Sequence, residues 1–211
     1  MKERNKLMAS EVEVDVITPE QDKFMQNVYE EFLQDRQIIL NDYVDDKLLE
    51  RAVLQIIKFN KEDAGKSVES RVPIIIHVNT LGGDVSSGLS LIDVIQTSKT
   101  PVYGVCHKAC SMGAYILIGC HKRYAFKNAT ILLHDGSAYV GASSSKVKDT
   151  VKWLDELEAR LDALVLSRTK IDEEEYEKHR RDEWYLFPSK AKELGIINYI
   201  IGEDVELDEI L

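Results

Sequence analysis

Cysteine is scarce in this chain and never forms a C-x-x-C pair. Cys106, Cys110 and Cys120 are the whole complement among 211 residues, and so few in a chain of this length exclude a disulfide scaffold. The spacing also speaks against a thiolate metal site. His107 and His121 sit beside Cys106 and Cys120, but Cys106 falls in an apolar strand pattern, so the thiols are expected to be buried and structural. No apolar run approaches the length of a membrane span. Met1 to Thr18 interleaves charges with Val12, Val14 and Val16 and lacks the continuous apolar core of a signal peptide, which makes a reducing cytoplasm the expected location. Basic charge is in deficit, with 27 Lys and Arg against 37 Asp and Glu and a net charge of -10, which disfavours nonspecific binding to nucleic acid or anionic membranes. Also missing are a phosphate-binding G-x-x-x-x-G-K-S/T loop, the G-x-S-x-G elbow of lipases and esterases, internal repeats and low-complexity blocks.

What is present suits one sizeable core: 44% hydrophobic and 30% charged residues in 211. Pro73 to Val78 is a short β-branched run that breaks into Asn79-Thr80-Leu81-Gly82-Gly83-Asp84 before a helical segment from Val85 to about Gln96. The pattern then repeats. Pro101 to Cys106 reads as a second strand, Cys110 to Gly119 as a second helix, and Lys122 to Phe126 with Thr130 to Leu133 as further strand material. Successive βα units predict an α/β fold with a parallel sheet and right-handed crossovers.

Ser111 stands in the small-residue turn Ala109-Cys110-Ser111-Met112-Gly113-Ala114, between a strand and an apolar helix. A serine hydroxyl needs a base before it attacks anything, and a serine at a helix N-terminus is commonly just a cap. His134, ending the apolar run Ile131-Leu132-Leu133, supplies an imidazole at a strand end, where βα architectures place their chemistry. The two βα turns would lie side by side, so the amides of Gly83 and Met112 could converge beside Ser111 as an oxyanion hole. His77 reads as a satisfied core or interface histidine and His179 as a solvated one.

Together these segments resemble the proteolytic subunit of the Clp protease (ClpP) family over roughly Asp35 to Ile201. Asn79 to Val85 resembles the family's N-S-P-G-G-x-V turn and Ala109 to Ala114 its A-A-S-M-G-A turn. Lys122 to Ala129, Leu132-Leu133-His134 and Gln37 to Leu40 resemble further family segments. The resemblance implies a ClpP/crotonase-like fold of repeated βαβ units, with Ser111 as nucleophile, His134 as general base and later acid, and the Gly83 and Met112 amides as the oxyanion hole. Counting back without gaps from Gly195 makes Glu183 the triad acid. Asp182 has the family's usual residue type and would serve if a one-residue bulge preceded Trp184. The Ser111-to-His134 spacing is two residues shorter than usual, and Leu81, Lys108 and Cys110 depart from the family pattern.

Val147, Val151, Leu154, Leu157, Leu161 and Leu164 recur at three- and four-residue steps, which predicts a long helix from about Ser143 to Ser167. The resemblance implies that this helix, preceded by a glycine-containing strand at Gly136 to Gly141, is a handle spanning about residues 136–167. It further implies heptameric rings stacked into a tetradecamer with an enclosed chamber, unfolded polypeptides as substrates, a separate AAA+ ATP-dependent unfoldase as partner, and no metal or organic cofactor. Residues 1–34 are expected to form an axial gating segment with a short strand at Glu11 to Val16, and residues 35–211 the protease domain. Two other readings stay open: a noncatalytic ring subunit, and a crotonase-type acyl-CoA enzyme.

Overall fold

The computed structural model describes residues 19–211; the strand expected at Glu11 to Val16 lies outside the described residues. The chain begins with α1 (Pro19–Gln34) and β1 (Gln37–Leu40), then a π-helical turn (Leu49–Val53) that runs directly into α2 (Leu54–Glu62). β2 (Ile74–Thr80), α3 (Val85–Thr97), β3 (Val102–Cys110), α4 (Met112–Gly119) and β4 (Lys122–Leu133) are the two repeated units expected from the sequence. The long α5 (Ser144–Arg168), α6 (Glu173–His179), β5 (Trp184–Leu186), α7 (Pro188–Glu193) and β6 (Tyr199–Ile201) complete the described chain. Strands β1 to β4 are parallel neighbours in sequence order. β4 then changes partner along its length: Tyr124 to Phe126 pair in parallel with β6, and Ile131 to Leu133 pair antiparallel with β5. Among the described residues no helix is long and apolar enough to cross a membrane.

Period-two alternation along β2 sorts its side chains between two cores. Ile74, Ile76 and Val78 join the main core beneath the helices, whereas Ile75 joins a smaller cluster with Val105, Tyr124 and Ile201 on the opposite face. α4 is buried at every position, as an apolar-all-round helix must be. α5 divides: Leu157, Leu161, Leu164 and Val165 are buried, but Val151 is exposed and Val147 and Leu154 are only half-buried. The apolar stripe is therefore continuous in sequence and half covered in space. At 25 residues the helix is about 37 Å long, longer than the body it packs against can cover.

Several boundaries differ from expectation for identifiable reasons. β3 continues past Cys106 because His107 is accommodated by a register shift against both neighbours, after which pairing resumes at Lys108. α4 starts at Met112, not Cys110, because Ser111 adopts φ 51°, ψ -126°, which no helix accepts. Gly136 to Gly141 is not a strand: among the described residues it finds no pairing partner, and Tyr139 within it is 97% exposed. His179 is not freely solvated but stacks on Trp184 at 4.3 Å. The three thiols are buried and free. Burial pushes Cys120 up to about 12 and raises Cys106 and Cys110 as well, holding all three neutral.

A buried carboxylate joins the start of the sheet to the helices. Asp63, fully buried at the end of α2, accepts two bonds from Arg36 at 2.6 and 2.9 Å, one from Lys66 at 2.8 Å and one from Thr100 at 3.0 Å. Arg36 itself sits at φ 60° where α1 turns into β1, so this knot fixes the entry to the sheet. Its bonds with Arg36 hold the Asp63 carboxyl far below the usual carboxylate range, against the opposing effect of burial. A depressed native pKa means stability that is present above the unfolded value of about 3.9 and lost as pH falls below it. Asp63→Asn is therefore expected to lower unfolding stability by about 3 kcal/mol at pH 7. Chemical denaturation at pH 7 and pH 3 should show the gap to wild type narrowing at the lower pH.

Candidate functional site

The Ser111 turn is assembled by three parallel strand ends. Ser111 donates its amide to the Leu132 carbonyl of β4 at 2.9 Å, and its own carbonyl accepts from Ala114 at 2.9 Å, starting α4. A non-glycine residue at positive φ is unusual and is held only by its surroundings. Ser111 makes no side-chain capping bond to the helix, so the capping reading does not hold. The far end of α4 is tethered too. Arg168 donates to the Ile118 and Cys120 carbonyls at 2.8 Å each, and Arg123 donates to Arg168 at 2.9 Å, placing cations at the helix's negative end.

Just past β2, Gly82 presses against this turn and Gly83 against the backbone of Val44. Gly82 has φ +101°, and a Cβ there would lie 2.7 Å from Ser111 Cβ and 2.8 Å from the Cys110 carbonyl. Val44 donates to the Gly82 carbonyl at 2.9 Å and accepts from Asp84 at 2.7 Å, a parallel bridge that turns the Gly83 amide away from Val44. Met112 is the first residue of α4, so its amide has no intrahelical acceptor. Both amides are thus spared by secondary structure.

His134 follows the last residue of β4, and Glu183 precedes the first of β5. Because Leu133 pairs antiparallel with Trp184, one further step along the ladder sets His134 opposite Glu183. The imidazole Nδ1 lies 3.0 Å from Glu183 Oε1. An ionised carboxylate only accepts, so Nδ1 carries the proton and Nε2 is left with a lone pair. Asp182 turns elsewhere, with Oδ2 3.5 Å from His179 Nδ1. The two acids that register left open are separated: Glu183 meets His134 and Asp182 does not.

Ser111 and His134 line one small pocket of about 40 Å³, walled by Val85, Met112 and Leu161. Its lining also carries polar residues that sequence reasoning missed: Tyr115, Asp162, Tyr176 and Arg180. Tyr115 donates to the His134 carbonyl at 3.4 Å, Tyr176 to Asp162 Oδ1 at 3.1 Å, and Arg180 reaches Asp162 Oδ2 at 2.9 Å. Burial raises the Tyr115 and Tyr176 phenols, keeping them neutral donors, and raises the Asp162 carboxyl while Arg180 draws it back. Asp162 follows Leu161 on the inner edge of the α5 stripe, and an acid at that position was the one available signal. The other histidines are engaged away from the pocket. His77 bonds Gln37 at 2.8 Å and His107 at 3.3 Å, and His121 accepts from the Val102 amide at 3.0 Å.

A serine on a strained strand-to-helix turn, a strand-end histidine braced by a carboxylate and two spare amides form equipment suited to acyl transfer. Comparison with known proteins agrees with that class: the family model described as Clp protease matches residues 20–204. The chain belongs to the Clp protease family and is a peptidase of the Clp system. It is similar to the ATP-dependent Clp protease proteolytic subunit 2 of Tropheryma whipplei (strain Twist), with 30% identity over 182 residues, covering 84% of this chain and 97% of that protein. The protein of the same name from Treponema pallidum (strain Nichols) is 27% identical over 182 residues, covering 85% of this chain and 88% of its own. The family match begins inside α1, ahead of the boundary at residue 35 expected from the motifs.

Gly82→Ala is expected to displace the Ser111 turn and lower peptidase activity about a hundredfold, the scale of a 1 Å misplacement. Gly65→Ala is the control, since φ +88° there carries the same backbone penalty with nothing within 4 Å of the added Cβ. It should cost about 1 kcal/mol of stability and leave activity intact. Thermal unfolding and peptide hydrolysis, measured on both variants, check this.

Proposed function

We propose that the chain is a serine endopeptidase that hydrolyses peptide bonds through an acyl-enzyme on Ser111. His134 Nε2 removes the Ser111 proton as Oγ attacks the scissile carbonyl, then delivers that proton to the leaving amine as the C–N bond breaks. A water deprotonated by His134 then attacks the acyl ester, and Ser111 recovers its proton as the acid product departs. Glu183 orients the imidazole and stabilises the imidazolium. The Gly83 and Met112 amides hold the oxyanion of each tetrahedral intermediate. The observation that carries the reading is the 3.0 Å bond from His134 to Glu183 beside a serine held at positive φ. This chemistry draws on no metal or organic cofactor.

The wider setting follows from family membership and from α5. The uncovered half of the α5 stripe, with Val151 45% exposed, and the 50% exposed Trp153 near it support a handle over about residues 136–167 that packs against a second copy across two stacked heptameric rings. A site that reads mainly backbone cleaves many sequences, so enclosure restrains it. Unfolded polypeptides are the substrates, and an ATP-dependent unfoldase delivers folded ones in the cytoplasm. Residues 1–34 gate the axial entrance of the protease domain formed by 35–211.

Labelling with a fluorophosphonate probe, read by intact mass and peptide mapping on the assembled protein, tests the reading. Wild type should be modified at Ser111, and Ser111→Ala and His134→Ala should not be modified. Glu183→Gln should hydrolyse peptides about ten-thousandfold more slowly, with Asp182→Asn within about twofold of wild type, the latitude of an exposed charge outside the site. Unmodified Ser111 in assembled wild-type rings would move the chain to the noncatalytic ring subunit.

A further inference from the structure

Two histidines outside the serine site face each other across β2 and β3. His77, half-buried on β2, shares a face with Ile75 and the smaller core by the strand period of two. His107 is exposed and is the extra residue at the bulge in β3, opposed by no residue of β2; a bulge of this kind re-aims a side chain. Here His107 Nε2 lies 3.3 Å from His77 Nδ1, with the ring centroids 5.5 Å apart. Phe32 stands 5.8 Å from the His77 ring and Phe126 4.8 Å from the His107 ring, so each imidazole is flanked by an aromatic neighbour.

Gln37 sets the chemistry of the pair. Its Oε1 lies 2.8 Å from His77 Nε2 and can only accept, so that nitrogen carries the ring's proton and Nδ1 turns a lone pair toward His107. Metal-bound imidazoles are held in this way, the far N–H donating to an oxygen. Burial and the neighbouring ring push His77 down to about 4, and burial lowers His107 too. Both are therefore neutral at pH 7, the form that binds a metal. The 3.3 Å between the nitrogens is long for a hydrogen bond, which N–H donors usually close to about 2.9–3.0 Å. It matches a tetrahedral zinc ion, whose Zn–N bonds of about 2.0–2.1 Å set two ligand nitrogens about 3.3–3.4 Å apart.

We propose that His77 Nδ1 and His107 Nε2 are the two protein ligands of a zinc ion, with Gln37 fixing the His77 ring from behind. Among the described residues no third His, Cys, Asp or Glu completes a cluster with them, so water fills the remaining positions and the ion is exchangeable. It clips β3 to β2 at the bulge and takes no part in peptide hydrolysis. The site stands independently of the serine mechanism.

The experiment is calorimetric titration of zinc chloride into the untagged full chain after chelator treatment, for wild type, His77→Gln, His107→Phe, Gln37→Leu, His134→Ala and His179→Gln. Wild type should bind one zinc per chain and melt at a higher temperature with it. His77→Gln and His107→Phe should lose that zinc, and Gln37→Leu should hold it about tenfold more weakly. His134→Ala and His179→Gln should bind as wild type does. Thermal unfolding without metal shows which variants fold; if His77→Gln does not, His107→Phe decides alone, because its ring replaces an exposed one. A wild type that takes up no zinc below millimolar concentration would overturn the site. Equal uptake by His107→Phe would also overturn it and mark an adventitious ion only. Zinc lost with His134→Ala or His179→Gln would belong to those histidines and overturn the assignment as well.

Discussion

The site depends on one backbone constraint, Ser111 at φ 51° with its amide bonded to Leu132 and its carbonyl starting α4. That conformation is costly for a serine, of order 1–3 kcal/mol, and it survives because neighbours on three sides leave no alternative. Gly82 closes one side, β4 another, and the buried α4, roped down at its far end by Arg123 and Arg168, the third. The same bend that lifts the hydroxyl out of the strand also aims the first amide of α4 outward. The nucleophile and one oxyanion donor that we propose therefore come from a single turn.

The partner change along β4 does the rest. Its first half belongs to the parallel sheet, and its second half accepts an antiparallel strand from the far end of the chain. Through that exchange a histidine and a glutamate 49 positions apart become ladder neighbours. The turn from Gly119 to Lys122 does not bear on this pairing, because it lies at the opposite end of β4 from His134. The excursion between Phe126 and Thr130 absorbs the irregular register in between.

Much of this was legible in the sequence because each motif carries its own physics. Glycines after an apolar run mark a turn that another backbone approaches, and Gly82 is approached to within 2.8 Å of where its Cβ would stand. The choice between Glu183 and Asp182 was not legible from residue type, since both are carboxylates. Which of them faces His134 follows from ladder parity, which a gap-free count preserves. The limits of β3 and α4 were missed because a strand bulge at His107 and a positive φ at Ser111 leave no trace in periodicity. The polar pocket residues Tyr115, Asp162, Tyr176 and Arg180 were missed because they come from separate helices and their flanks and none has a motif. The strand at Gly136 to Gly141 was expected from the resemblance alone and, in the described chain, has no neighbour to pair with.

The account stands or falls on the geometry at Ser111 during reaction. A structure of the assembled protein with a peptide boronic acid tests it most directly, because the tetrahedral boronate stands in for the tetrahedral intermediate. The account requires a bond from Ser111 Oγ to boron, one boronate oxygen within about 3 Å of both the Gly83 and Met112 amides, and His134 between that serine and Glu183. A boronate attached elsewhere, or bound to Ser111 with its oxygen turned away from both amides, would contradict it.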